Sequence, residues 1–412
     1  MVLNYVWSSF FIIAMIVALI KYFFFQDQLI FEMLVSGIFD SAKTGFEISL
    51  ALTGIMTLFL GILKIGEKAG AIRFLSRIIG PFFNKLFPEI PKDHPAHGQM
   101  IMNFSANMLN LDNAATPFGL KAMESLQELN PSKDTASNSQ IMFLVLQTSG
   151  LTLIPINIMT YRASMGAADP SDVFMPLLIS TYFATVISLF VLMIKQKIPI
   201  WDRTILGWIG GISAAILMLL WYLSSLDQTE IQAFSKVYSN LILFSVIVVF
   251  ILGGLRKRID IFDTFIDGAK EGFQVAVKII PYLVGMLVAI SVLRNSGVLS
   301  AVIDALGFII GLLGMDTRFV EALPVAIMRP LSGSGARGLM LEAMSPENGG
   351  PDSFVGRLVC IFQGTTDTTF YIVALYFGSV GVTKVRYAIQ YGLLADFVGI
   401  VAAILIGYLF FT

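Results

Sequence analysis

The chain alternates between long apolar runs and short polar segments. Apolar runs with few charges recur along it, and clear examples are residues 4–20, 174–194, 205–223 and 391–411. A helix of about 17–25 apolar residues crosses the hydrocarbon core of a bilayer. Because lipid offers the backbone no hydrogen-bond partners, such runs form helices. The pattern therefore predicts an all-α polytopic membrane protein.

Short motifs recur in the same order in the two ends of the chain. The pairs are 41–46 with 268–273, 102–105 with 328–332, 119–123 with 338–344, 147–150 with 363–366, and 161–166 with 376–381. Such a repeat decides the architecture. It predicts two related repeats at residues 1–197 and 260–412. Between them, residues 198–259 are predicted to form a linking pair of transmembrane helices joined by a polar loop at 224–239.

Basic residues predict that the two repeats have opposite orientations in the membrane. Short loops rich in Lys and Arg lie in the cytoplasm, and such residues flank the linking pair at 195–203 and 256–258. Residues 71–86 combine helical apolar spacing with Arg, which predicts an amphipathic helix on the inner surface. The matching residues 298–313 contain Asp but no Lys or Arg. We expect a cytoplasmic N-terminus, an external C-terminus and two inverted-topology repeats, with Lys21 as the cation that opposes this assignment.

Four polar segments break the apolar pattern at membrane depth. Residues 103–117 and 329–338 are each flanked by short helical stretches, so each repeat is predicted to contain a re-entrant helical hairpin. Residues 147–155 and 363–369 interrupt longer apolar stretches, which predicts a broken transmembrane helix in each repeat. Irregular backbone is tolerated in a bilayer where it lines a water-filled cavity. We therefore expect the two hairpins to meet around hydrated space.

The candidate substrate-binding residues are the polar side chains of these four segments. They are Asn103, Ser105, Asn107, Asn110, Asp112, Asn113, Gln147, Thr148, Ser149, Arg329, Ser332, Ser334, Arg337, Gln363, Thr365, Thr366, Asp367 and Thr368. Half-helix ends with hydroxyls, amides and a few charges suit a small polar solute. Arg329 and Arg337 are expected to hold an anionic group, and Asp112 and Asp367 to serve a cation, a proton or an amine.

Two interpretations that give these residues a purely structural role stay open. Ser, Thr and Gly in membrane helices also serve close packing alone. In the second interpretation, Asp367 forms an internal salt bridge with Arg329 or Arg337 that serves structure alone.

The glycines around 332–338 are expected to act as hinges for hairpin movement.

Composition narrows the class of protein further. The chain is 56% hydrophobic and 13% charged, against about 25% charged residues in soluble domains. Its net charge of −1 and lack of a long basic block predict no nucleic-acid partner. Cys360 is the single cysteine, so neither a disulfide framework nor a cysteine metal site is expected. The N-terminal apolar run lacks a basic n-region and a cleavage site, which indicates a first transmembrane helix.

Enzymatic and metal-binding chemistry are poorly supported by the residues. His94 and His97 lie in a polar, proline-rich segment, where a solvated loop is a better interpretation than a metal site. The sequence shows no zinc motif, and no Ser/His or paired-aspartate arrangement typical of intramembrane hydrolysis. We therefore expect no catalytic residue, no resident metal and no cofactor.

Several longer motifs resemble the spore maturation protein A and B family. In the first half the resemblance lies in residues 112–123. In the second half it lies in residues 328–335, 350–354, 363–366 and 376–381. The chain therefore resembles a fusion of two proteins that are usually separate. The family belongs with nucleoside-recognition or gate domains, which are similar to the transport cores of concentrative nucleoside transporters and ferrous-iron transporters.

The resemblance implies two opposed hairpins and two broken helices around one central site, often coupled to Na⁺ or H⁺. Together with the polar segments, it leads to the hypothesis of a secondary transporter in the bacterial inner membrane. The partner is then a small polar solute such as a nucleoside, an amino-acid-like compound or a carboxylate. A passive pore or exporter of the same fold and a structural or regulatory membrane protein are the alternatives. A homo-oligomeric assembly stays open.

Overall fold

The computed structural model describes the backbone of residues 2–314 and 316–412, and the side chains of these residues except 2–4, 6 and 112–114. The helices are α1 (Val2–Phe25), α2 (Ile30–Ala69), α3 (Ala71–Leu86), α4 (Pro95–Met108), α5 (Asp112–Leu129), α6 (Asn138–Ser149), α7 (Ile156–Ser164), α8 (Phe174–Gln196), α9 (Arg203–Ile205), α10 (Gly211–Leu223), α11 (Gln228–Arg256), α12 (Ile261–Asn295), α13 (Val298–Leu312), α14 (Leu323–Met328), α15 (Gly333–Ala343), α16 (Phe354–Thr365), α17 (Thr369–Ser379) and α18 (Ala388–Phe411). A π-helical turn, Leu206–Gly210, joins α9 to α10. The predicted all-α fold class is confirmed.

Many of these helices are long and apolar enough to cross a membrane. Within the described residues there are eight such segments: α1, α2, α8, α9 with α10, α11, α12, α16 with α17, and α18. Large apolar side chains are exposed along them, for example Phe24, Phe244 and Phe397. In water such patches would be unfavourable, whereas lipid tails solvate them. The chain is a multi-pass membrane protein.

The order and lengths of the helices recur along the chain. The long helices α2 and α12 contain 40 and 35 residues, and the shorter α3 and α13 that follow them contain 16 and 15. A hairpin comes next in each case, α4–α5 and then α14–α15. The helices before the two breaks, α6 and α16, contain 12 residues each, and the last members, α8 and α18, contain 23 and 24. The opposite orientation of the two repeats stays a prediction.

A left-handed glycine ends each of the two long helices. Gly70 follows α2 with φ 91°, and Gly297 follows α12 with φ 86°. Glycine adopts this conformation without steric cost. A Cβ at Gly70 would lie 2.6 Å from Nζ of Lys257, and one at Gly297 would lie 2.7 Å from Nζ of Lys21. A cation at a helix C-terminus is favourable, which gives Lys21 a local role despite its unexpected place in the charge pattern.

The chain folds into two compact units, and each unit is built from three separate segments of the sequence. Unit 1 comprises Met1–Gly61, Thr160–Pro170 and Ile266–Gln363. Unit 2 comprises Ile62–Met159, Ser171–Phe265 and Gly364–Thr412. Unit 2 contains a large apolar core in which α3, α4, α5 and α6 pack with α8 and α17. Hairpin 1, which we define as α4–α5, lies in unit 2, whereas hairpin 2, defined as α14–α15 with the residues between, lies in unit 1.

The predicted loop at 224–239 is much shorter in the structure than the sequence suggested. The polar stretch 224–239 is mostly helix, because Asp227 and Glu230 form a capping box that starts α11 at Gln228. In the predicted helical hairpin at 103–117, only Leu109–Leu111 separate α4 from α5. The error at 224–239 arose because polar residues that cap a helix were interpreted as a loop.

Candidate functional site

The tip of hairpin 1 is fastened to the break between α6 and α7. Asn110 at the tip has φ 59°, a left-handed conformation that Asn tolerates better than most residues. Its Oδ1 accepts a hydrogen bond of 3.1 Å from the backbone N–H of Asn157, in the first turn of α7. The carbonyl of Met108 accepts a second bond of 2.8 Å from the N–H of Leu153. The tip thereby satisfies backbone groups that the break leaves open.

Side-chain amides connect hairpin 1 to α6. Nε2 of Gln147 donates to Oδ1 of Asn103, and Nδ2 of Asn107 donates to Oε1 of Gln147. Nδ2 of Asn103 then donates to the carbonyl of Ala115 at 2.7 Å, which joins α4 to α5. We call Asn103, Gln147 and Asn107 the amide relay. Asn103 and Gln147 are buried, so each amide group without a partner would cost about 1–3 kcal/mol.

The two broken helices are joined at their breaks within unit 2. Helix α6 ends at Ser149, and Gly150 follows with φ 55°. The N–H of Asp367, in the break between α16 and α17, donates to the carbonyl of Thr148 at 2.7 Å. Oδ1 of Asp367 accepts from the N–H of Thr368 at 2.7 Å, so this carboxylate supports its own break. The predicted breaks at 147–155 and 363–369 therefore exist and meet.

Helix α18 places a buried carboxyl beside this crossing. Asp396 is 3% exposed, and Oγ1 of Thr369 donates to its Oδ2 at 2.5 Å. A Cβ at Gly392, one turn earlier, would lie 2.6 Å from Cγ2 of Thr369. Sequence analysis missed Asp396, although a single acidic residue inside an apolar run was the available signal.

Hairpin 2 presents a helix N-terminus to Gln363 within unit 1. Oγ of Ser332 caps α15 by accepting from the N–H of Gly335 at 3.0 Å, and it lies 3.3 Å from Oγ of Ser334. Nε2 of Gln363 donates to the carbonyl of Gly333 at 3.3 Å. Gln363 is 5% exposed, and none of the described residues donates to its Oε1. One hydrogen-bond acceptor is therefore buried and unused beside this helix end.

The rest of hairpin 2 is positioned by packing. The guanidinium of Arg337 lies over the ring of Tyr161, with 5.2 Å between its Cζ and the ring centroid, a distance typical of a cation–π contact. A Cβ at Gly338 would lie 3.0 Å from Cβ of Met286 in α12. The glycine allows close approach to α12, and the predicted hinge role stays a prediction. Arg329 lies half-buried in the turn before α15.

Unit 1 also contains an ion pair, formed by a buried arginine, that sequence analysis missed. Arg162 is 0% exposed. Its guanidinium donates to Oδ1 of Asp352 at 3.1 Å and to the carbonyl of Pro351 at 2.6 Å. The N–H of Ala168 donates to Oδ2 of the same carboxylate at 2.9 Å. The pair holds α7 and the segment after it to the loop before α16. Its signal in the sequence was an arginine shortly after the polar break at 147–155.

Several predicted site hydroxyls make bonds within or beside their own helices. Oγ1 of Thr148 donates to the carbonyl of Leu144, and Oγ of Ser149 donates to the carbonyl of Leu146. Oγ of Ser105 lies 3.3 Å from Oγ of Ser76. Other predicted hydroxyls, those of Thr365, Thr366 and Thr368, are buried around the second break. The Asp112 and Asn113 predictions lie outside the described side chains.

The histidines are used structurally. Nδ1 of His94 accepts from the N–H of Ala96 and caps α4. His97 is buried, with Nε2 3.4 Å from the carbonyl of Ile90. Burial lowers the pKa of His97, partly offset by that carbonyl. Among the described residues, no cluster of three or more His, Cys, Asp or Glu forms a metal site.

Comparisons with known proteins agree with this architecture. The family model Gate, described as nucleoside recognition, matches residues 49–166 and 276–383. The chain is 45% identical over 161 residues to spore maturation protein B of Bacillus subtilis (strain 168), covering 39% of this chain and 88% of that protein. It is 42% identical over 144 residues to spore maturation protein A of the same organism, covering 35% of this chain and 74% of that protein. No solved structure gives a significant match. The chain therefore belongs to the Gate family of nucleoside-recognition membrane proteins.

Proposed function

We propose that this protein is a secondary transporter that moves a small polar metabolite across the bacterial inner membrane. The observation that carries the proposal is the bond between Asp367 and Thr148, which joins two interrupted helices at their breaks. Interrupted helices are a recurring way for transporters to place open backbone groups and polar side chains at membrane depth. A purely structural bundle has no need for two such interruptions, because each exposes backbone groups that lipid cannot satisfy.

Solute recognition is supported by the polar groups around hairpin 2. Gln363 offers a buried acceptor beside the N-terminus of α15, where Ser332 and Ser334 also lie. A helix N-terminus favours an anionic or acceptor-rich group, and an amide oxygen accepts from an N–H or O–H donor. A nucleoside, an amino-acid-like compound and a carboxylate all combine such groups. The description of the Gate family makes nucleosides the first solutes to test.

The orientation and mechanism belong to the same proposal. We place the N-terminus in the cytoplasm and the C-terminus outside, following the distribution of Lys and Arg. Transport would proceed by alternating access with coupling to Na⁺ or H⁺, because the polar breaks supply groups for an ion as well as a solute. Enzymatic activity is not part of this proposal.

The test uses purified full-length protein reconstituted into liposomes. Nucleosides, amino acids and small carboxylates are offered in turn, with and without a Na⁺ or pH gradient, and protein-free liposomes serve as the control. Accumulation above equilibrium under one gradient supports the transporter. Flux that only equilibrates the solute indicates a passive pore. Absence of flux for every solute, together with no ligand-dependent rise in melting temperature, contradicts transport and favours a structural or regulatory role.

A further inference from the structure

The carboxyl of Asp396 is an ionisable group that the proposed solute contacts do not use. It lies in the membrane span α18, about 12 Å along the helix from its start at about 1.5 Å per residue. Its side chain is almost completely buried. An ionisable group at such depth is expensive unless it has a function or a partner. The hydroxyl of Thr369, at the start of α17, donates to Oδ2 of Asp396.

From these contacts we propose that Asp396 binds and releases the coupling proton. This inference rests on the proposed transport function, because it names the ion that drives it. A threonine hydroxyl can both donate and accept a hydrogen bond. Thr369 can therefore donate to the carboxylate form of Asp396 and accept from its protonated form. The contact persists in both states, so one proton can be exchanged without dismantling the site.

The location of Asp396 links the proposed proton to the break between α16 and α17. Thr369 begins α17 directly after the break, and the N–H of Asp367 in that break is bonded to Thr148 of α6. A change of charge on Asp396 therefore acts on the residue that starts one half-helix. The helix crossing lies two residues before Thr369 in the chain. Interrupted helices are the elements that change shape most easily, because their ends lack full backbone pairing.

A proton requires less of the site around Asp396 than a metal cation does. A Cβ at Gly399, one turn later in α18, would lie 2.8 Å from Cγ2 of Thr365 and 2.9 Å from Cγ2 of Thr366. A Cβ at Gly392, one turn earlier, would lie 2.6 Å from Cγ2 and 3.2 Å from Oγ1 of Thr369. Helix α18 therefore packs closely against the threonines on both sides of the second break. A metal ion would require several converging oxygens. A proton needs only the carboxyl itself.

Other titratable groups lie on the elements packed against α18, and they define the controls. Helix α18 packs against α8, α6, α17 and α11. The titratable side chains on these elements, on α18 itself and in the adjoining break are Tyr182, Lys195, Glu230, Lys236, Tyr238, Arg256, Asp367, Tyr371, Tyr376, Tyr391 and Tyr408. Glu230 and Asp367 are the carboxyls in this set. Substitutions of these two residues and of Asp396 can therefore assign a carboxyl signal that comes from this region.

Infrared spectroscopy of the reconstituted protein measures protonation of carboxyl groups and needs no solute. The pH is stepped, and the carbonyl stretch of protonated carboxyls is followed in wild type, Asp396→Asn, Asp367→Asn and Glu230→Gln. We expect that Asp396→Asn removes one component of the titrating carboxyl signal and that the other two variants retain this component. Thr369→Val should shift its midpoint, whereas Thr369→Ser should retain it. A titration unchanged by Asp396→Asn overturns the proposal, whatever the outcome of the transport assays.

Flux measurements provide the second arm. With the solute identified above and a pH gradient, we expect wild type and the exposed control Asp304→Asn to accumulate it above equilibrium. Asp396→Asn should lose this accumulation completely. Accumulation by Asp396→Asn equal to wild type, or accumulation that follows Na⁺ and ignores pH, contradicts proton coupling at this residue. If no solute is transported, the proposed function fails, and the infrared titration still decides whether Asp396 exchanges a proton.

Discussion

Gln147 and Gln363 occupy the same local position and are bonded in different ways. Each is the third residue from the end of a 12-residue helix that stops at a break. Both polar atoms of the Gln147 amide are used, because Oε1 accepts from Asn107 and Nε2 donates to Asn103. Gln363 donates to the carbonyl of Gly333, and its Oε1 has no donor among the described residues.

From this difference we propose different roles for the two hairpins. A buried amide with all its bonds made holds its neighbours in a fixed arrangement. A buried acceptor without a donor costs free energy, and proteins seldom retain one without a reason. The amide relay therefore serves as a structural fastening of hairpin 1, whereas Gln363 is suited to receive a group from outside the chain. Substitutions at these places test that contrast.

The largest loss of stability should follow Gln147→Met. The substitution keeps the side-chain size but leaves polar atoms of Asn103 and Asn107 without partners. At about 2 kcal/mol for each unpaired group, the free energy of unfolding should fall by about 4 kcal/mol. Thermal unfolding of detergent-solubilised protein measures this. Gln363→Met is the matched control, and an equal loss in the two variants would remove the contrast between the hairpins.

The next largest loss should follow Arg162→Met, which removes the fastening of unit 1. Breaking a buried ion pair costs about 3–5 kcal/mol. We expect about 3 kcal/mol, because the Asp352 side chain is 37% exposed and remains partly hydrated. The exposed pair of Arg318 with Asp316 provides the comparison, and Arg318→Met should cost less than about 1 kcal/mol. Similar losses in both variants would show that Arg162 does not hold this region.

We expect Gln363→Met to have a smaller effect, which is confined to the affinity for the solute. Loss of one acceptor should weaken solute binding about tenfold, or about 1.4 kcal/mol, with a change of less than about 1 kcal/mol in unfolding free energy. The ligand-dependent rise in melting temperature measures binding. Unchanged affinity in this variant would show that Oε1 of Gln363 faces no solute.

The smallest effect should be a pH dependence at the base of hairpin 1, outside the candidate spans. Burial lowers the pKa of His97 below its usual value of about 6.5. The neutral form thus stabilises the fold above that value, and this contribution is lost as the pH falls through the lowered pKa. Between pH about 7.5 and about 5.5 the melting temperature should drop by about 2 °C more in wild type than in His97→Gln. Identical pH profiles would contradict this assignment.

The backbone was predicted from the sequence better than the site. Apolar runs locate the spans because helix length and hydropathy are local properties, and the breaks at 147–155 and 363–369 carry their own polar signal. The start of α11 was misplaced because Asp227 and Glu230 look like loop residues until their mutual bonds are known.

The partners within the site could not be predicted, because they are tertiary. Gln147 and Asn103 are 44 residues apart, and Arg162 and Asp352 are 190 apart. No local pattern fixes such a pairing in one sequence. Asp396 had a signal of its own, an acid within an apolar run, but its relevance depends on Thr369 arriving beside it.

Unit 1 is built from segments that are far apart in the sequence, and this has a consequence for biosynthesis. Its first segment ends at Gly61, and its largest segment begins only at Ile266. Helices emerge from the ribosome in sequence order, so α1 and most of α2 enter the bilayer long before α12 exists. During that interval small residues such as Gly45, which will later approach the backbone of Val284 closely, face lipid or a membrane insertase. Slowing translation between the two segments should therefore increase degradation of the nascent chain more than slowing it after α16.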